Sequence, residues 1–178
     1  LDKYYGKNPH FRLIFHNINR GIAATIKELY RKAENDFIAL FSVDGDWNPV
    51  DLNRLFKHAF ANDADIVIGK RNRRSDSFYR FIVSFIYNTL TYLLFGVKTY
   101  DAGSIKVIKN KLLKNISTIS ETPFFEAEII IKATKSGAKI HTIPISYKKT
   151  LNHKGHGGNF RLVIATLVEM LKFRLKGI

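Results

Sequence analysis

Phe37-Ile38-Ala39-Leu40-Phe41-Ser42-Val43 runs directly into Asp44-Gly45-Asp46-Trp47-Asn48-Pro49. The first seven residues form a short apolar run of the kind that builds a buried strand. Gly45 marks a turn, and Asn48-Pro49 is a helix-start signal. In α/β sheets, ligands gather beyond the carboxyl ends of the strands. Two carboxylates delivered there, one glycine apart, make a concentrated set of hard oxygen donors. Such donors suit Mg²⁺ or Mn²⁺, which commonly shares its site with substrate phosphates. Asn48 can add a further oxygen. The competing reading is an Asx turn, with Asp46 or Asn48 capping the helix at Pro49. The preceding strand and the basic segments downstream favour the metal site, with Asp44, Asp46 and Asn48 as ligands.

Outward from this stretch, apolar runs alternate with helical periodicity. Arg12–His16 reads as a strand. Arg20–Ala33 reads as a helix with Ile22, Ile26, Leu29 and Ala33 on one side. Val50–Ala61 is a helix with Leu52, Leu55, Phe56 and Ala59 inward. Asp65–Gly69 is a strand. Phe81, Ile82, Phe85, Ile86, Leu90, Leu93 and Leu94 mark a long helix that stops at Gly96. Ser104–Lys109 is a strand, and Phe124–Ser136 is a helix closed by Gly137. Lys139–Lys148 is a strand placed at a sheet edge by Pro144. Asn159–Lys176 is an amphipathic helix. This alternation predicts an α/β sheet with helices on its faces. The division expected is a main domain over 1–158 and a C-terminal helix over 159–178.

The 178 residues include 29 Lys and Arg against 15 Asp and Glu, a net charge of +14. With no cysteine, disulfides, thiolate metal sites and Cys nucleophiles are excluded. No apolar run reaches the ~18 residues of a membrane span, and no signal peptide opens the chain. Met170 is the only methionine, so a processed chain or an excerpt is expected. Glu34, Asp36, Asp44, Asp46, Asp51, Asp63 and Asp65 form an acidic island within a basic chain. That pattern suggests a cation site beside anionic ligands.

Five segments in order carry a family resemblance. They are Asn19-Arg20-Gly21 before a helix, Phe41–Pro49 with its Asp-x-Asp, and Asp65–Arg71, which is similar to a strand ending in Gly-Ser-Arg. Asp101-Ala102-Gly103-Ser104-Ile105-Lys106 follows, then Phe125-Glu126-Ala127-Glu128 through Ile143-Pro144-Ile145-Ser146-Tyr147. Across nearly its whole length the chain resembles family 2 glycosyltransferases of the GT-A fold, nearest to the polyprenyl-phosphate sugar transferases. The fold implied is an α/β, GT-A (Rossmann-like) mixed sheet flanked by helices. The family's Pro-x-Tyr-Asn-Glu and Asp-Asp-Gly-Ser segments, which build its nucleotide pocket, have no counterpart here. The expectation is therefore a domain lacking the first βαβ portion. Lys148 and Lys149 stand where the family often has Arg.

The resemblance implies inverting transfer of a sugar from a nucleoside diphosphate sugar to a lipid phosphate, with Mg²⁺ or Mn²⁺. It makes Asp44, Asp46 and Asp101 the catalytic candidates. Arg71, Arg80, Asn19, Gly21, Glu126 and Lys148 are the substrate-binding candidates. Guanidinium groups suit phosphate because they bind its oxygens bidentately. Glu126 and Glu128, two residues apart on a helix, do not share a face. At most one is expected in the site, and a solvated charge is the plainer reading of each. The last helix, apolar along Phe160, Val163, Ile164, Leu167, Leu171 and Leu175 with a basic margin, suggests a cytoplasmic protein peripheral to an anionic membrane. Three alternatives stand beside this: transfer to a saccharide hydroxyl, a non-catalytic scaffold, and a nucleic-acid module. The last is disfavoured because the aromatics, Phe56, Phe81 and Phe85 among them, fall at core spacing, and the acidic island would repel a phosphate backbone.

Overall fold

The computed structural model describes residues 8–42, 45–71, 78–146 and 160–176. In chain order the elements are α1 (Ile22–Lys32), β1 (Phe37–Ala39), α2 (Pro49–Asn62), β2 (Ile66–Arg71) and α3 (Phe78–Phe95). Then come β3 (Lys106–Lys109), α4 (Asn110–Lys114), α5 (Phe124–Lys135), β4 (Ile140–Ile145) and α6 (Phe160–Leu175). The sheet order is β1-β3-β2-β4. β3 is antiparallel to both of its neighbours, while β2 and β4 are parallel. β1, β2 and β4 therefore all point their carboxyl ends the same way.

β2 is central and covered on both sides, which is why Ile66, Val67 and Ile68 run without alternation and are fully buried. Ile66 and Ile68 join the larger core with residues of α1, α3, α5 and α6. Val67 joins the smaller one against α2, with Leu55, Ala59, Ile105, Val107 and Ile145. Gly69 continues β2 where a Cβ would lie 2.6 Å from Ile145 Cδ1, so the two parallel strands leave no room for a side chain. Pro144 sits in β4, which is an edge strand as the sequence predicts. A triangle of Phe95, Phe124 and Phe173, with centroids 5.4–6.1 Å apart, knits α3, α5 and α6. Met170 and Phe173 of α6 belong to the same core as the sheet.

Several expectations change. Residues 12–16 form no strand. Side chains tether that segment instead: Arg12 donates to Glu34 at 2.8 Å, and His16 Nε2 meets Glu28 Oε2 at 3.0 Å. α1 is rolled relative to the predicted face. Ala23 and Tyr30 are buried while Ile22 and Leu29 are exposed, because the Tyr30 hydroxyl reaches Glu126 in the interior. β1 stops at Ala39, since the ladder with β3 pairs only Phe37–Ala39. Phe85 is exposed rather than core, whereas Phe56 packs inward. α4 was not anticipated; five residues are too few to show a period. The acidic island is dispersed in space. Asp63 and Asp65 bind Lys109 at 2.7 and 2.9 Å, at the amino end of β2, away from Asp46. Glu34 pairs with Arg12.

Candidate functional site

The carboxyl ends of β1, β2 and β4 meet the amino end of α2, and the acidic turn lies between. Gly45 takes φ 85, a conformation that only glycine adopts readily, so the glycine between the two aspartates is a backbone requirement. Asp46 and Trp47 are half-buried. Asn48 is the N-cap of α2: its Oδ1 accepts from Val50 N at 2.9 Å, and Pro49 opens the helix. That oxygen, expected as a metal ligand, is engaged in the cap. Asp44 lies outside the described residues.

Arg71, the last residue of β2, reaches Asp101 with two bonds. Nε donates to Oδ2 at 2.6 Å and Nη2 donates to Oδ1 at 2.5 Å. The Arg71 amide adds a longer contact of 3.4 Å to Oδ2. Asp101 is 5% exposed and the Arg71 side chain 14%. The guanidinium carbon stands 5.7 Å from the centre of the Trp47 ring. Tyr100 has φ 53, uncommon for a bulky residue, and Ser104 N donates to the Asp101 carbonyl at 2.8 Å. A tight turn thus turns Asp101 back toward the end of β2. Trp47, Arg71 and Asp101 are brought together at one end of the sheet, with Asp46 next to Trp47 in the chain.

The other candidates make contacts of their own. Asn19 and Gly21 are exposed at the start of α1, with Gly21 N donating to Asn19 Oδ1 at 2.9 Å. Gly21 lines an open groove of about 1080 Å³ with Arg20, Lys27, Arg31 and Lys114. Glu126 is interior: Lys106 Nζ is 2.5 Å from Oε2, and Tyr30 donates to Oε1 at 3.3 Å. Burial, followed by the nearby Glu126 charge, pushes the Tyr30 hydroxyl pKa well up. Glu128 is also buried, accepting from the amides of Ile119 and Ser120 and pairing with Lys132. Burial opposes its charge, yet those partners outweigh it and hold the carboxyl below its ordinary value. Neither glutamate is the solvated charge expected of it. Arg80 lies in the first turn of α3 with its side chain outside the described set, and Lys148 lies outside the described residues.

Among the described residues, no cluster of three or more His, Asp or Glu is placed to hold a metal ion. No helix there is long and apolar enough to cross a membrane. Trp47 had no role in the sequence reading; its signal was its place inside the acidic motif.

Solved structures that share the fold include two complexes of one enzyme. Both are of glucosyl-3-phosphoglycerate synthase from Mycobacterium tuberculosis. The complex with uridine diphosphate matches with TM-score 0.66 at 11% identity, over 86% of this chain and 55% of that one. The complex with phosphoglyceric acid matches with TM-score 0.62 at 15% identity, over 86% and 56%. The chain therefore spans a little over half the length of these neighbours. The mixed sheet with flanking helices agrees with the GT-A architecture expected from the motifs. A family model, Glycosyl transferase family 2, matches residues 1–117, which include the acidic turn, Arg71 and Asp101. On that match the chain belongs to glycosyl transferase family 2.

Proposed function

We propose that the protein transfers a sugar, with inversion, from a nucleoside diphosphate sugar to a lipid phosphate at a membrane surface. The observation that carries this reading is the convergence of Arg71, Asp101 and Trp47 on the Asp46 turn at the carboxyl end of the sheet. Family membership supplies the reaction class. In the step itself, the bond from the anomeric carbon to the donor diphosphate breaks, and a bond to an acceptor phosphate oxygen forms. The diphosphate departs with the electron pair. The acceptor needs no strong base, because a phosphate monoester is already largely ionised near neutral pH (second pKa about 6).

The donor chemistry fits a divalent cation. Asp46 is a half-buried carboxylate of the turn, and Asp44 is the second one in sequence. Mg²⁺ is commonly held by one or two carboxylates plus substrate phosphates. Asp44 and Asp46 are the proposed ligands, and Asn48 is left to its cap. Such an ion supplies charge stabilisation for the leaving diphosphate. Asp101 fixes the plane of the Arg71 guanidinium, and Trp47 flanks it, which orients Arg71 toward phosphate oxygens in the cleft. Asp101 is more than nine-tenths buried against Arg71, so its proposed part is to orient that group at the donor.

The lipid acceptor is supported by α3 and α6, which pack side by side and expose apolar stripes. A small soluble phosphate ester is a second reading, favoured by the phosphoglyceric acid in one neighbour's structure. The complete protein should be assayed with a panel of UDP- and GDP-sugars, with polyprenyl phosphate in vesicles or with phosphoglyceric acid. Metal-dependent formation of a sugar-phospholipid is the expected result. Transfer to the soluble ester alone would select the second reading, and no transfer to either would overturn both.

A further inference from the structure

Asp51 lies in the first turn of α2, five residues after Asp46, and is not a member of the Asp-x-Asp motif. Its carboxylate is almost fully buried, at 3% exposure. Oδ2 accepts from the backbone amide of Ser146 at 2.8 Å. Oδ1 accepts from Arg54 Nη1 at 2.6 Å, three residues along the helix. Ser146 is the first residue past β4, and the last residue of β4, Ile145, pairs in register with Arg71. One side chain therefore connects the helix that carries the acidic turn to the strand end beside Arg71.

The chemistry of that bond is specific. β4 is an edge strand, and Ser146 has passed the last ladder position, so its amide needs an acceptor from outside the sheet. A buried carboxylate is costly unless its charge is matched. Arg54 and the amino-terminal end of α2 match it. A neutral side chain could satisfy the Ser146 amide without burying a charge. The charge-assisted bond is stiffer and stronger, and it holds two segments from opposite sides of the site at a fixed separation.

Resting on the sugar-transfer reading, we infer that Asp51 is a positioning residue: it sets the distance between the acidic turn on α2 and the paired ends of β2 and β4. Donor phosphate bound between Asp46 and Arg71 spans that distance. A small misplacement of reacting groups costs rate rather than affinity, by up to about a hundredfold. The role belongs to the Asp51–Ser146 bond and not to the Asp51–Arg54 pair.

The test uses Asp51→Ala, Asp51→Asn and Arg54→Ala in the complete protein, with two readouts. Hydrogen exchange at the Ser146 amide follows the bond directly, whether or not transfer is measured. Asp51→Ala should lose that protection, while Asp51→Asn and Arg54→Ala keep it. Steady-state kinetics, run well below the melting temperature of each variant, should show kcat at least tenfold lower in Asp51→Ala. KM for the donor should move less than twofold, and Asp51→Asn, which keeps the acceptor without its charge, should recover only part of the rate. A normal kcat in Asp51→Ala, or an equal fall in Arg54→Ala, would overturn the positioning role while leaving the transfer reading standing. A wild-type protein inactive with every donor would strike the transfer reading. Unchanged Ser146 exchange in Asp51→Ala would strike the bond itself.

Discussion

Arg71 and Asp101, thirty residues apart in the chain, form a two-pronged ion pair at the end of β2. The sequence reading treated them as separate contacts, one for phosphate and one for sugar or acceptor. The pair makes them one unit. Removing either partner strips a buried charge of its bidentate match, which costs about 3 kcal/mol or more in buried pairs. Arg71→Ala and Asp101→Ala should each lower stability by about that amount, and the double variant should lose less than the sum. Urea denaturation of the three variants measures this. Arg71→Lys should not rescue, since an ammonium cannot reproduce the fork. An Arg71→Ala protein of unchanged stability would show that the pair contributes nothing to folding.

The acidic turn should behave in the opposite way. Asp46 is half-buried at a turn, so its loss opens no hole in either core. Asp46→Ala should remove Mg²⁺- or Mn²⁺-dependent transfer in the complete protein while leaving the melting temperature within a few degrees. Asn48→Ala should do the reverse. It deletes a helix cap worth about 1 kcal/mol and leaves metal dependence in place. A loss of metal dependence in Asn48→Ala would restore it to the ligand set.

Local signals were legible in the sequence and long-range partners were not. The turn at Gly45, the helix start at Asn48-Pro49, Gly137 after α5 and Pro144 in the edge strand each act through their own backbone and were legible, although Asn48 serves the cap that the sequence reading ranked below the metal site. Gly137 has φ 82, as a helix-closing glycine should. The four-residue period of α1 was real, but the face it turns inward was decided by the bond from Tyr30 to Glu126, ninety-six residues away. Residues 12–16 have a strand-like pattern with no ladder to join. Glu126 was read as a substrate-binding candidate or a surface charge, and Glu128 as a lesser candidate or a surface charge, because nothing near them in sequence announces Lys106 or the amides of 119 and 120 as partners. Asp51 was missed for the same reason: its partner is ninety-five residues away.

Acid should release the segment before α1. Glu28 is held by Lys32 at 2.9 Å, His16 at 3.0 Å and Arg20 at 2.5 Å. The Lys32 bond foremost, and the other two bases, bring its carboxyl from 4.5 down to about 2. A carboxyl with a depressed folded pKa stabilises the fold above its unfolded pKa. That contribution fades as pH falls from about 4.5 and is gone below about 2. Amide exchange or limited proteolysis of residues 12–20 should rise through that window while the sheet persists. Glu28→Gln should show the loosened state already at neutral pH. Equal protection of the segment at pH 6 and pH 2.5 in the wild type would contradict the clamp.

The structure splits α6 into two faces, so folding and the proposed membrane attachment can be tested apart. Met170 and Phe173 are buried, and Leu167 packs against the same core. Phe160, Ile164, Val168, Leu171 and Leu175 lie along the outer side, spaced three or four residues apart. Ile82, Phe85, Ile86 and Leu93 of α3 are exposed in the same rhythm on the helix beside it. Arg161, Lys172 and Arg174 of α6 and Lys176 just past it are exposed, while the one acid of α6, Glu169, accepts from the amides of Glu121 and Thr122 and leaves little negative charge outward. An apolar stripe with a basic margin binds the headgroup region by apolar burial and by attraction to anionic lipid. Leu171, at 52% exposure, is the informative position. Leu171→Glu should reduce co-sedimentation with phosphatidylserine-containing vesicles at least tenfold and leave the melting temperature unchanged. Phe85→Glu should act in the same direction. Leu167→Glu, at a position that the sequence groups with Leu171 on one apolar side, should instead unfold the protein, because it drives a carboxylate into the core. Binding to anionic vesicles should weaken with added salt. Wild-type protein that ignores such vesicles at low salt would remove the membrane from the reading and leave the soluble phosphate ester as the acceptor class.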